Sequence, residues 1–154
     1  MLRAIRQFID QINATPSGPV ESEDAVQLAT AVLLVEVMHA DTAIDSHERA
    51  AATALLGNTF QLGAAEVQEL LDLAQEKSRL ANDFFAFTSV LNDRLSQAQK
   101  IGVVEQMWRI ALVDASADAG ETHVISKVAG LLHVTHGEYI AAKLRARESA
   151  GGAQ

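Results

Sequence analysis

The sequence contains the acidic pattern Asp-x-x-x-Asp-x-x-Glu twice, each time directly after a long apolar stretch with helical character. Every acid of the second copy lies 73 residues after its counterpart in the first copy. The six acids are Asp41, Asp45, Glu48, Asp114, Asp118 and Glu121. A constant spacing over three positions indicates an internal repeat, so the chain is predicted to fold as two similar halves.

The composition of both halves predicts an all-α fold. The alternation of apolar and polar residues that marks strands is missing, and Ala, Leu, Glu and Gln dominate the sequence. Residues 22–40 and 97–113 carry apolar side chains nearly all round a helix, which is typical of central helices. We therefore expect a single-domain helical bundle of about eight helices, built from two pseudo-symmetric halves.

The chain divides into three segments by composition. Residues 1–21 are predicted to be an N-terminal docking helix and a linker, because an amphipathic stretch precedes both prolines of the chain. The apolar stripe of that stretch consists of Leu2, Ile5, Phe8, Ile9 and Ile12. Residues 22–148 are predicted to form the helical domain, and residues 149–154 a disordered tail.

Individual helix ends are also marked in the sequence. Ser96 and Thr135 each begin a capping box, which predicts the start of a helix at both places. The helix after the first acidic string is expected to end at Leu56, with a left-handed cap at Gly57. The last helix is expected to end at about Arg147.

The composition excludes several classes of function. The chain of 154 residues has no Cys, which excludes disulfides, zinc–thiolate centres, iron–sulfur clusters and thiol catalysis. Its formal net charge of −8 disfavours binding to nucleic acid or to anionic lipid. No run of about 20 apolar residues is present to span a bilayer. A cytoplasmic location is expected.

Helix capping accounts for part of each acidic string. The second Asp and the Glu three residues later have the spacing of a capping box, in which both side chains bond free amides at a helix start. Capping does not account for Asp41 and Asp114, which follow the C-terminal end of a central helix, where the helix dipole disfavours an anion. Two acids at equivalent, electrostatically unfavourable positions indicate a shared function.

Binding of a divalent cation is one such function. If the two halves bring the strings together, six carboxylates converge and repel one another unless a cation binds there. Ligand sets made only of oxygen favour calcium or magnesium over zinc or copper. The first string also matches the second half of an EF-hand loop, but Val37 and His39 stand where that loop carries its first acidic ligands. Neither string is therefore a complete EF-hand.

At these residues the sequence resembles the TerB-like family, named after the tellurite resistance protein TerB. The family pattern is an apolar helix ending in Ala-Asp-Gly, then an apolar residue and Asp, with Glu three residues further on, repeated near the C-terminus. HADTAIDSHE and VDASADAGE take these places, and the resemblance covers about residues 24–148. The Gly after the first Asp is replaced by Thr42 and by Ala115, which makes a left-handed turn at those positions less favourable.

The resemblance implies an all-helical fold of two similar halves, an acidic surface suspected of binding divalent cations, and a setting in bacterial tellurite or general stress response. We expect a non-enzymatic domain that binds calcium or magnesium through all six acids, and a protein partner that the sequence does not identify. An alternative is a metal-independent protein-interaction module that uses the same acidic face. A metal-assisted hydrolase has thinner support, because no nucleophile motif and no phosphate-binding glycine loop is present. The oligomeric state is left open.

Overall fold

The computed structural model describes residues 22–39, 46–80, 83–113 and 119–152. Within these ranges it contains seven helices and no strand, which confirms the all-α prediction. The helices are α1 (Ser22–His39), α2 (Ser46–Phe60), α3 (Ala64–Leu80), α4 (Phe85–Arg94), α5 (Gln97–Ala111), α6 (Ala119–Leu131) and α7 (His136–Gly152). The predicted helix and linker of residues 1–21 lie outside the described residues.

Helix α1 lies at the centre of the core. Ten of its apolar side chains are fully buried. It packs against α2, α3, α4, α5 and α6, which explains why apolar residues occupy nearly its whole circumference. Burying a Val or Leu side chain contributes about 1.5–3 kcal/mol, so this one helix provides a large part of the hydrophobic stabilisation.

The helix contacts follow the internal repeat. Helices α2 and α6 begin at Ser46 and Ala119, which are 73 residues apart, as the acidic strings are. The contact of α1 with α3 corresponds to that of α5 with α7, and the contact of α1 with α2 corresponds to that of α5 with α6. Contacts between the halves are also reciprocal, since α1 meets α6 and α5 meets α2. The two halves are therefore similar and share one core.

The end of α2 differs from the prediction. The helix continues through Gly57 to Phe60, and the left-handed residue is Gln61, with φ of 56°. The amide of Leu62 donates to the Gly57 carbonyl at 3.1 Å, as in a Schellman motif, and Leu62 packs against the core. The prediction of a cap at Gly57 was wrong, since the left-handed residue is Gln61 and the partly buried Leu62 after it packs against the core.

The same kind of cap ends the corresponding helix of the second half. His133 has φ of 61°, and the amide of Val134 donates to the Ala129 carbonyl at 3.0 Å. Val134 is buried, and its counterpart Leu62 is partly buried. Both halves thus use a non-glycine residue in the left-handed conformation, followed by an apolar residue that reaches the core.

Other helix ends agree more closely with the sequence. The capping box of Ser96 with Gln99 is present, and Thr135 forms the equivalent pair with Glu138.

The end of the last helix differs from the prediction. Helix α7 continues beyond Arg147 to Gly152, so residues 149–152 of the predicted tail are helical, while residues 153–154 lie outside the described ranges.

Candidate cation site at the ends of the central helices

Both central helices are buried up to their last turn. In α1, Val37 and Met38 are fully buried, and in α5 the same holds for Ile110, followed by Leu112 at 5% exposure. The acidic strings begin only a few residues later in the chain. Their first acids therefore follow the negative ends of two helix dipoles, next to a buried core.

The next helices begin where the strings predict. Helix α2 starts directly after Asp45, and α6 starts directly after Asp118, so both Asp residues stand at the position of an N-cap. This confirms the predicted helix starts in both halves. The side chains of these two acids lie outside the described residues, so their capping bonds stay predictions.

Glu48 is the member of the acidic set whose side chain is described. It lies in the first turn of α2 and is only 3% exposed. The two capping boxes elsewhere in the fold differ from it, because Gln99 is exposed and Glu138 is only half-buried. Capping alone does not require a buried carboxylate. Taking an ionised carboxylate out of water is costly unless positive charge or hydrogen-bond donors compensate it.

The positive end of α2 provides part of that compensation, since the first turn of a helix stabilises an anion by typically 0.3–1 kcal/mol when exposed and by up to about 2 kcal/mol when partly buried. Arg49, the next residue, is engaged elsewhere. Its Nη2 donates to Gln68 at 2.9 Å and to Asp72 at 3.3 Å, which fastens α2 to α3. The site therefore has a buried carboxylate beside a helix start, and Glu48 has an interaction partner of its own.

The remaining predicted ligands are not placed. The side chains of Asp41, Asp45, Asp114, Asp118 and Glu121 lie outside the described residues, although Glu121 belongs to the helical part of α6. Among the side chains that are described, no three His, Asp or Glu residues form a group that could hold a metal ion. The convergence of the two strings stays a prediction.

A second feature was not predicted from the sequence. A cleft of about 750 Å³ lies between α1, α5 and the C-terminal ends of α2 and α4, and we call it the interhelix cleft. Its apolar walls are Val26, Phe60, Leu95 and Val103. Thr30 also borders it, is 1% exposed, and its hydroxyl has no hydrogen-bond partner among the described residues. Thr30, one of the few polar residues in the middle of α1, is a sequence signal that could have indicated this cleft.

In the described part of the chain, no helix has both the length and the apolar character needed to cross a membrane. Comparison with known families gives one match over residues 27–144, to the family model described as tellurite resistance protein TerB. No curated protein and no solved structure matches the chain. The matched range contains both acidic strings and both central helices apart from the first turn or so of α1.

Proposed function

The chain belongs to the TerB family, and from that premise we propose that it is a non-enzymatic domain that binds a divalent cation, calcium or magnesium, between the two acidic strings. The proposed ligands are Asp41, Asp45, Glu48, Asp114, Asp118 and Glu121. The cation links the two halves where each central helix ends. A role in tellurite or general stress response is part of the proposal and follows from the family.

The burial of Glu48 is the observation that carries this proposal. A surface used only to attract a basic partner needs its carboxylates exposed, and Glu48 is 3% exposed. A cation ligand is expected to be inside the protein, because a bound ion replaces the water that the carboxylate loses. The 73-residue repeat supports an equivalent role for Glu121 in the second half.

The chemistry of the available donors fits a hard cation. Carboxylate oxygens are the side-chain donors of both strings, and backbone carbonyls near the ends of α1 and α5 can add neutral oxygen ligands. A cation there offsets both the repulsion among the acids and the negative ends of the two helix dipoles. The absence of Cys supports an indirect role in tellurite response, since no thiol is present to bind or reduce tellurium.

Thermal unfolding with and without the cation tests the proposal. If the ion is present at about 100 times its dissociation constant, it adds about 2.7 kcal/mol to the free energy of unfolding. For a chain of this length the melting temperature then rises by about 5–11 °C. The double variant Asp41→Asn/Asp114→Asn should lose this rise while keeping the helical circular dichroism spectrum.

A matched control removes the same number of charges elsewhere. Glu69 and Glu76 are exposed residues of α3, and Glu69→Gln/Glu76→Gln should keep the full response to calcium or magnesium. If the wild-type protein shows the same melting temperature in millimolar cation and in chelator, the cation proposal is wrong. Binding of a partner that persists in chelator and is lost on Asp41→Lys/Asp114→Lys would then identify a metal-independent docking domain.

A further inference from the structure

The interhelix cleft is lined by residues of both halves, and some of them are equivalent in the internal repeat. Val26 and Thr30 of α1 correspond to Gln99 and Val103 of α5 at the 73-residue spacing, and all four residues border the cleft. Its other walls are not equivalent, since α2 ends on one side and α4 ends on the other. The two halves therefore present matching faces to a space that one additional element can fill.

Helix α4 shows how the equivalent place is filled in the second half. It precedes α5 directly and packs along α1, the central helix of the other half. It also reaches the end of α6, where Asn92 Nδ2 donates to the carbonyl of Leu131 at 2.9 Å. Applied to the first half, the repeat relates these contacts to a segment that precedes α1, packs along α5 and reaches the end of α2.

The interhelix cleft meets this description. When the two left-handed caps are superposed, Gln61 on His133, the residue that corresponds to Leu131 is Thr59, and Thr59 and the next residue, Phe60, line the cleft. Gly102 and Gln106 belong to its α5 wall, and a Cβ atom added at Gly102 would meet no other atom of the described residues within 4 Å. The described residues therefore leave open, beside α5, the space that the repeat assigns to a helix from the first half.

We propose that residues 2–12 form an amphipathic helix that occupies the interhelix cleft, as the counterpart of α4. This segment precedes α1 as α4 precedes α5, with nine connecting residues in place of two, and its apolar stripe matches the apolar walls of the cleft. The polar residues Arg3, Arg6, Gln7 and Asp10 fall on the opposite face and stay in water. The occupant is a part of this chain rather than a separate partner.

The connecting residues are long enough for this docking. Residues 13–21 separate the segment from α1, and nine residues span at most about 30 Å when extended. Val26 and Thr30 lie one and two turns from the start of α1, so the cleft is about 6–12 Å from the point where the linker joins the helix. The linker reaches the cleft without stretching.

Disulfide trapping tests this proposal in the chain of 154 residues, because that chain has no Cys. The variant Phe8→Cys/Gly102→Cys places one thiol on the apolar face of the segment and one in the open wall of the cleft. The control Gln7→Cys/Gly102→Cys moves the first thiol by one residue, to the opposite face. A docked helix should form the intramolecular bond about tenfold faster in the first variant, because its thiol is held near the partner.

Size-exclusion chromatography and non-reducing electrophoresis separate the outcomes. Faster trapping of the Phe8 variant in the monomer supports the proposal. Equal rates for the two variants would overturn it, since a tethered but undocked segment brings both thiols to the cleft equally often. Bonds formed only between two chains would also overturn it and would assign the cleft to a second copy. Circular dichroism of the reduced variants checks that neither substitution alters the fold.

Discussion

Leu34 offers a direct test of whether the two halves form one cooperative core. Its side chain is fully buried in α1, between neighbours that are themselves fully buried. Because α1 is surrounded by five other helices, the space left by Leu34→Ala has little room to collapse. We expect a loss of about 3–4 kcal/mol in the free energy of unfolding, and a fall of about 10 °C in the melting temperature.

Urea unfolding of this variant is followed by two probes. Circular dichroism reports on all helices, whereas fluorescence reports on Trp108, the sole Trp of the chain, which lies buried in α5 of the other half. A shared core requires both signals to shift together. Met107, which occupies the position equivalent to Leu34, is also fully buried, and Met107→Ala should cost about 2–5 kcal/mol.

Leu144→Ala is the matched control, because it deletes the same atoms from a side chain that is 50% exposed, and it should cost at most about 1 kcal/mol. The reasoning fails if Leu34→Ala costs no more than this control. It fails equally if Leu34→Ala shifts the circular dichroism signal while the fluorescence midpoint of Trp108 is unchanged. That result would mean that the halves unfold separately.

Two further predictions concern helix ends and contacts. Hydrogen bonds from the Thr135 amide and, second, from the Gln97 side chain lower the pKa of the Glu138 carboxyl below its ordinary value of 4.5. The ionised carboxylate therefore stabilises the fold above pH 4.5, and this stabilisation is lost as the pH falls through the lowered pKa. Glu138→Gln should flatten this acid dependence of the melting temperature. Glu105 accepts from Arg145 at 2.6 Å, joining α5 to α7, and a double-mutant cycle should give about 0.5 kcal/mol, decreasing with salt.

The helix ends show which signals are local. The capping boxes at Ser96 and Thr135 were predicted correctly, because side chain and amide belong to the same turn. The end of α2 was not predicted correctly, because Gly57 allows a left-handed conformation but does not require one. Placing Gln61 in the left-handed conformation costs roughly 1–2 kcal/mol. Packing of Leu62 against the core offsets that cost, and the sequence around Gly57 carries no sign of it.

The candidate site shows the same division. The spacing of the acids predicted where α2 and α6 begin, since an Asp before a helix acts on amides two or three residues away. The spacing did not predict the burial of Glu48, because a carboxylate at the third helical position is equally compatible with an exposed capping box. Its burial is a property of the folded chain, in which α2 packs against α1, α3 and α5.

The sequence alone determined the all-α class, the duplication at 73 residues, the two central helices and the helix starts after the acidic strings. Each of these depends on interactions within a helical turn or on a periodicity that is visible in the chain itself. Only the tertiary structure decided the left-handed caps at Gln61 and His133, the burial of Glu48 and the interhelix cleft. These features depend on contacts between helices far apart in the chain, and such contacts have no local signature.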